Sequence, residues 1–365
     1  MRRRLLLTTD AVGGVWTYSL DLARALSEAE DMVVLLAVLG PEPGNDQLTQ
    51  AAAVPGLQMV MTGLPLDWTA ESEEEVREAA ATLAALAAGG EADLVQLHTP
   101  ALAVAPYAAP VVSVVHSCVA TWWRAVRGDG PLPEDLAWRA ALVREGLAAS
   151  NLVVAPTRAF ARSLQVVYDL PQAPRCVHNG RHAARKAATQ QRDFAFTAGR
   201  LWDEGKNVAA FDGAAAGSKV PFLAAGPLTD LSGEERQLAH AQALGTLSNE
   251  DLAELYASRP LFVSPALYEP FGLAVLEAAQ AGCALVLSDR PGFRELWGDA
   301  AVFVDPTDEQ AIAAAVDRLI AAPAAREALG LAAKKRAEEF TPALMGRNML
   351  DQYETLLAAP QKAAA

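Results

Sequence analysis

The chain alternates short apolar, β-branched runs with longer stretches of helical periodicity from one end to the other, and that alternation restricts it to an α/β fold. Parallel strands cannot be joined by tight hairpins, so each neighbouring pair needs a long crossover, usually a helix. The first series of strands reads as Arg4–Thr8, Met32–Val38, Leu57–Met61, Leu94–Leu97, Val111–Val115 and Leu152–Ala155, with long helices over Glu71–Ala88 and Glu134–Ala149. The second reads as Phe194–Ala198, Val220–Ala224, Leu261–Val263, Ala284–Leu287 and Ala301–Val304. Between Leu170 and Asp193, Pro171, Pro174, Asn179-Gly180 and a basic, Ala-rich stretch interrupt the pattern and mark a hinge. Two doubly wound sheets follow, within the two or three domains of roughly 150 residues that the length allows. The expected division is residues 1–175, 176–341 and a terminal segment 342–365. In that last segment Leu344, Met345, Met349, Leu350, Tyr353 and Leu356 recur at helical spacing over Pro342–Leu357, and Gln361–Ala365 reads as a frayed tail.

Forty-four acids against 30 Lys and Arg, a net charge of −14, disfavour DNA or RNA as a partner. Cys118, Cys176 and Cys283 are far apart in apolar surroundings, which suits a reducing cytoplasm and provides no metal-binding pair. The run Leu5-Leu6-Leu7 after three arginines stops at Thr8-Thr9-Asp10, too soon for a secretory core. No stretch approaches the ~18 apolar residues needed to span a bilayer. A soluble or peripheral cytoplasmic protein is expected.

The segment Ser264-Pro265-Ala266-Leu267-Tyr268-Glu269-Pro270-Phe271-Gly272-Leu273-Ala274-Val275-Leu276-Glu277 sets two carboxylates around the mouth of a helix, read as Gly272 to Ala281. Backbone N–H groups at Phe271, Gly272 and Leu273 suit a phosphate, and glycine there admits close approach. A diphosphate is the natural guest, with Glu277 set for ribose hydroxyls and Glu269 for sugar hydroxyls. Solvated capping charges explain two isolated glutamates equally well.

This spacing of glutamates around Pro-Phe-Gly resembles the nucleotide-sugar signature of the GT-B glycosyltransferases, especially retaining family 4. The resemblance is strongest between Phe194 and Pro306, where Pro291-Gly292-Phe293-Arg294-Glu295 and Asp305-Pro306 also match. It implies two Rossmann-like domains facing each other across a cleft, with donor on the C-terminal domain, acceptor on the N-terminal one and the last helix crossing back to the first domain.

Other residues acquire roles from the resemblance. Gly13-Gly14, in the turn after the first strand, lacks the third glycine of a dinucleotide fingerprint but matches the family's glycine-rich loop near donor phosphate or acceptor. His116, emerging after Val111–Val115, matches the histidine near the transferred sugar; taken alone it is equally a hydrogen-bonded structural residue. Arg200 and Lys206 match the cations on the donor diphosphate, stabilising charge that grows as the nucleoside diphosphate departs, whereas surface pairing with Asp203 or Glu204 is the plain alternative. Asn179-Gly180 matches a family segment, but Arg181-His182 stands where an aliphatic residue and Asp are usual, and Ala224-Ala225-Gly226-Pro227-Leu228 is shorter than the family's glycine-rich turn. Thr121-Trp122-Trp123-Arg124-Ala125-Val126-Arg127 combines aromatics and cations, suited to an acceptor pocket, a lipid headgroup surface or simple packing.

No Asp-x-Asp pair ends a strand and no His/Cys cluster is spaced for a metal. The expectation is a metal-independent, retaining hexosyltransferase that needs no cofactor and moves sugar from a nucleoside-diphosphate sugar to a hydroxyl acceptor. A sugar-nucleotide epimerase or phosphorylase of the same fold, and a non-catalytic sugar-nucleotide binding subunit, are the rival expectations.

Overall fold

The computed structural model describes residues 3–30, 32–183, 186–230 and 232–358. They fall into two compact units, one of residues 3–180 with 342–358 and one of 181–341. The division lies five residues beyond the 175/176 position read from the sequence. The tail read as frayed, Gln361–Ala365, is outside the described residues.

The first unit holds seven parallel strands: β1 (Arg4–Asp10), β2 (Val33–Leu39), β3 (Leu57–Met61), β4 (Leu94–Leu97), β5 (Val111–Val114), β6 (Leu152–Ala155) and β7 (Arg175–Cys176). They lie in the order β3-β2-β1-β4-β5-β6-β7. Leu5, Leu6 and Leu7 are fully buried, as expected of a strand covered on both faces, which is why β1 is an unbroken apolar run rather than an alternating one. β7 was not foreseen; its two residues, Arg175 exposed and Cys176 half-buried, carry no apolar pattern and pair only because β6 offers an edge.

The helix Pro342–Ala358 joins this first unit, as the resemblance implied, packing on the helix Gly14–Glu30. Met345, Met349, Leu350 and Tyr353 are buried in the β1 core, whereas Leu344, counted in the apolar stripe, stays 37% exposed. A Cβ on Gly346 would lie 2.7 Å from the Ala25 Cβ, so a glycine is what lets the two helices approach. Burial of each large side chain contributes about 1.5–3 kcal/mol, enough to make this helix part of the unit's core.

The second unit holds β8 (Ala195–Ala198), β9 (Phe222–Ala225), β10 (Gln242–Gly245), β11 (Leu261–Ser264), β12 (Ala284–Ser288) and β13 (Val302–Val304), all parallel. Their order is β10-β9-β8-β11-β12-β13. β10 was also missed. It is a largely exposed edge strand whose Gln-Ala-Leu-Gly sequence has neither β-branched residues nor an apolar run. One core layer gathers Phe196, Phe262, Leu276 and Trp297, and the opposite layer Phe211, Leu261, Val286 and Ile312. No helix among the described residues is long and apolar enough to cross a membrane.

Candidate functional site

In a doubly wound sheet, ligands bind beyond the carboxyl ends of the strands where strand order reverses. In the second unit that point lies between β8 and β11. The chain leaves β8 through Gly199 into a short turn. Asp203 Oδ1 accepts the Gly205 N–H at 2.8 Å, and Asn207 takes a left-handed conformation, φ 54°, before the next helix starts at Val208. The Asn207 side chain donates to the Pro265 carbonyl at 2.9 Å and to the Pro306 carbonyl at 2.8 Å. Leu267 and Tyr268 donate their N–H groups to the Gly205 carbonyl at 2.9 and 3.1 Å. The loops after β8 and β11 are thereby laced together through the Gly205 carbonyl and the Asn207 side chain.

That lacing brings the Lys206 ammonium into an ion pair with Glu269. Both side chains are well shielded, 25% and 15% exposed, so the pair is stronger than a surface contact. With Gly199, Ser264 and Ala274 they line a small concavity. Its floor is the start of the helix Leu273–Ala281. The helix begins one residue later than read, because Gly272 is its N-cap, at φ 91° and ψ 71°. A side chain there would be strained and would crowd Glu269 and Phe293 at 3.3 Å. The Phe271 ring is buried against Phe340, pinning the loop that presents the helix mouth.

Not every expected residue turns into this concavity. Arg200 reaches Asp203 Oδ2 at 3.3 Å and lies over the Trp202 ring, which is the local pairing weighed above. Glu277, one turn inside the helix from Leu273, accepts from Arg181 Nε at 2.8 Å. Arg181 was read only as a departure from the family pattern, because nothing in its own neighbourhood announces a partner 96 residues away. In the shortened turn after β9, a Cβ on Gly226, φ 136°, would lie 1.8 Å from the Gly199 carbonyl oxygen, so the β8 and β9 loops close on each other.

In the first unit the order reverses between β1 and β4. Gly13 lies in the β1 loop, where Val12 N–H caps the Asp10 carboxylate at 2.9 Å, and Gly14 opens the helix Gly14–Glu30. His116 follows β5 by two residues, half-buried, with its Nε2 shielded from solvent and without a hydrogen-bond partner among the described residues. His98, which the sequence reading passed over, follows β4 directly. The signal was the same one used for His116, a histidine just beyond a buried strand. The two rings meet edge to face with centroids 4.9 Å apart, and Tyr18 packs on both at 5.2 and 4.5 Å. Gln96 Nε2 is 3.0 Å from His98 Nε2, Ser19 Oγ is 3.4 Å from Nδ1, and Tyr353 donates its hydroxyl to Gln96 Oε1. Burial pushes the His116 pKa down to about 4, and burial together with the neighbouring His116 lowers that of His98 far below its ordinary value. Both imidazoles are therefore neutral near pH 7, able to hydrogen-bond a hydroxyl without adding charge.

The remaining motifs also lie in the first unit. Trp122 and Trp123 are half-buried on the helix Val119–Arg127, with Arg124 paired to Asp129 at 2.8 Å. Asn179 is buried, and the Gly180 N–H points to the Met345 sulfur at 3.2 Å.

Two family models match the chain, one described as Glycosyltransferase Family 4 over residues 12–185 and one as Glycosyl transferases group 1 over residues 186–336. The O-antigen chain mannosyltransferase B of Escherichia coli is 41% identical over 98 residues, 27% of this chain and 26% of that protein. The chain spans only 26% to 30% of the first curated relatives it matches. Among solved structures, a sucrose-phosphate synthase from Thermosynechococcus elongatus superimposes with a TM-score of 0.79 at 18% identity, covering 98% of this chain and 100% of that one. Anabaena Alr3699/HepE in complex with UDP-glucose does so with a TM-score of 0.71 at 17% identity, covering 96% and 99%. These superpositions establish the GT-B fold of two Rossmann-like domains. With consecutive family models running from residue 12 to residue 336 over that fold, the chain belongs to the group 1 glycosyltransferases of the family 4 type.

Proposed function

We propose that this protein transfers a hexose-type sugar from a nucleoside-diphosphate sugar to a hydroxyl group of an acceptor, with retention at the anomeric carbon and without a metal ion or other cofactor. The observation that carries the reading is the meeting of Lys206 and Glu269 at the mouth of the Leu273–Ala281 helix, at the switch point of the second unit. A cation and a helix N-terminus set side by side suit a diphosphate, and both stabilise it most as its charge grows on departure. Binding of the anion draws the Lys206 ammonium from Glu269, whose carboxylate then accepts hydrogen bonds from the sugar. Arg200, on the same turn, supplies further positive charge, Phe271, Gly272 and Leu273 supply main-chain contacts, and Glu277 accepts from the ribose. HepE, a relative in fold, is described in complex with UDP-glucose, which supports a donor of this class.

The acceptor is read onto the first unit, where Gly13, Gly14 and neutral His116 border the ends of β1 and β5. In the reaction the bond from the anomeric carbon to the phosphate oxygen breaks and the bond to the acceptor oxygen forms, while the acceptor proton passes to the leaving diphosphate. Retention by this front-side route is the family's pattern and requires no protein nucleophile. A reducing, cytoplasmic setting is read from the wide sequence spacing of Cys118, Cys176 and Cys283. A thermal-shift panel of UDP-, GDP- and ADP-sugars tests the donor, since a ligand of the folded state raises Tm. The product's anomeric configuration by NMR then tests retention, and a chelator tests metal independence. Absence of stabilisation and transfer with every donor would overturn the reading; stabilisation without transfer would favour a non-catalytic sugar-nucleotide binder.

A further inference from the structure

Arg181 is the first residue of the second unit, and three contacts fix it to that unit. Its N–H donates to the Phe340 carbonyl at 3.1 Å, its carbonyl accepts from Gln280 Nε2 at 2.7 Å, and its Nε donates to Glu277 Oε1 at 2.8 Å. Glu277 and Gln280 are three positions apart, neighbours on one face of the Leu273–Ala281 helix. The arginine backbone and the arginine side chain thus grip the same face. Both charged side chains are about three-quarters shielded, 25% and 23% exposed, so the contact is held against exchange with water.

We propose that Arg181 is a positioning residue for donor recognition: by holding Oε1 of Glu277, it aims Oε2 at the ribose hydroxyls of a nucleoside diphosphate. The proposal rests on the donor reading given above and goes beyond it, because it assigns a role to the residue at which this chain leaves the family pattern. An unanchored glutamate must lose rotamer freedom when it binds, whereas one held by a guanidinium has lost it already. A residue acting this way changes only the part of the affinity that depends on the hydroxyls.

The test is a cycle between Arg181 and the ligand hydroxyls, read by calorimetry. UDP, GDP and ADP are titrated into the whole protein, and the one that binds is compared with its 2′,3′-dideoxy counterpart. The parent should prefer the hydroxylated ligand by a factor of ten or more, on the order expected of a hydrogen bond to a charged group. In Arg181→Ala that preference should shrink by roughly tenfold while the dideoxy ligand binds as before. Equal weakening of both ligands, or an unchanged preference, overturns the proposal and leaves the donor reading intact. A parent without any preference for the hydroxyls removes the ribose role of Glu277, and this role of Arg181 falls with it. If Arg181→Ala melts below the assay temperature, Arg181→Lys is read in the same cycle, since it keeps stem and charge but lacks the planar Nε–H that meets Oε1.

Discussion

The ammonium of Lys206 and the carboxylate of Glu269 meet across 63 positions of sequence, one in the loop after β8 and the other in the loop after β11. Neither loop places its charge alone. The lacing through the Gly205 carbonyl and the Asn207 side chain sets the pair at the helix mouth, and the ion pair keeps the lysine there.

Lys206→Ala should lower kcat by roughly 10²- to 10³-fold, the range for losing one group that stabilises developing negative charge. Steady-state transfer with a saturating donor checks this. A kcat within twofold of the parent, by rough allowance for context, would remove Lys206 from the machinery.

Asn207→Ala deletes two donors and leaves the carbonyls of Pro265 and Pro306 without them. Unfolding in urea should show a loss of about 1–3 kcal/mol, and donor affinity should fall as the two loops part. A stable variant with weakened donor binding would place the effect in the site alone; a variant unchanged in both contradicts the lacing.

Gly226→Ala would force a methyl group to within 1.8 Å of the Gly199 carbonyl oxygen, at a φ that side chains rarely adopt. Because the obstacle is main chain, relief requires moving the β8 loop, and a cost above about 2 kcal/mol is expected. Thermal melts of the variant, read with the donor present and absent, measure both the strain and its effect on the Lys206 loop.

Stability should fall with acid below neutrality in a way traceable to the histidine pair. A histidine whose folded pKa lies below its unfolded one binds fewer protons when folded, so lowering the pH favours the unfolded chain. For His116 the window runs from its ordinary 6.5 down to about 4. Stability is fully present above that window and lost by its lower end, a change on the order of 3 kcal/mol for a shift of this size. Denaturation of the parent and of His116→Gln at a series of pH values checks it: the variant should have the shallower slope, and superimposable slopes would contradict the burial argument.

Tyr353→Phe removes the hydroxyl held by Gln96 and leaves a buried amide oxygen short of a donor. A loss of about 1–2 kcal/mol is expected, and the His98 ring nitrogen resonances should shift, since Gln96 also meets His98. Unmoved resonances would show that the amide keeps its place without the tyrosine.

Most strands were legible because parallel strands are buried on both faces, and Leu5-Leu6-Leu7 or Leu285-Val286-Leu287 can be nothing else. The two that were not, β7 and β10, are short edges whose pairing comes from the neighbouring strand rather than from their own residues. The same division runs through the site. Glu269, Gly272 and Glu277 stand close together in one local string, so spacing alone drew attention to them. His98 stood equally plainly after β4 but was passed over for want of a motif around it.

By itself, then, the sequence determined two doubly wound units, an apolar closing helix and a helix mouth bordered by acids, because burial and helix initiation depend on residues near one another in the chain. Only the tertiary structure decided which charges meet. Lys206 finds Glu269, Arg181 finds Glu277 and Tyr353 finds Gln96 over separations of 63, 96 and 257 residues. Such contacts depend on strand order and on how loops are tied together, and no local pattern of residue types encodes either.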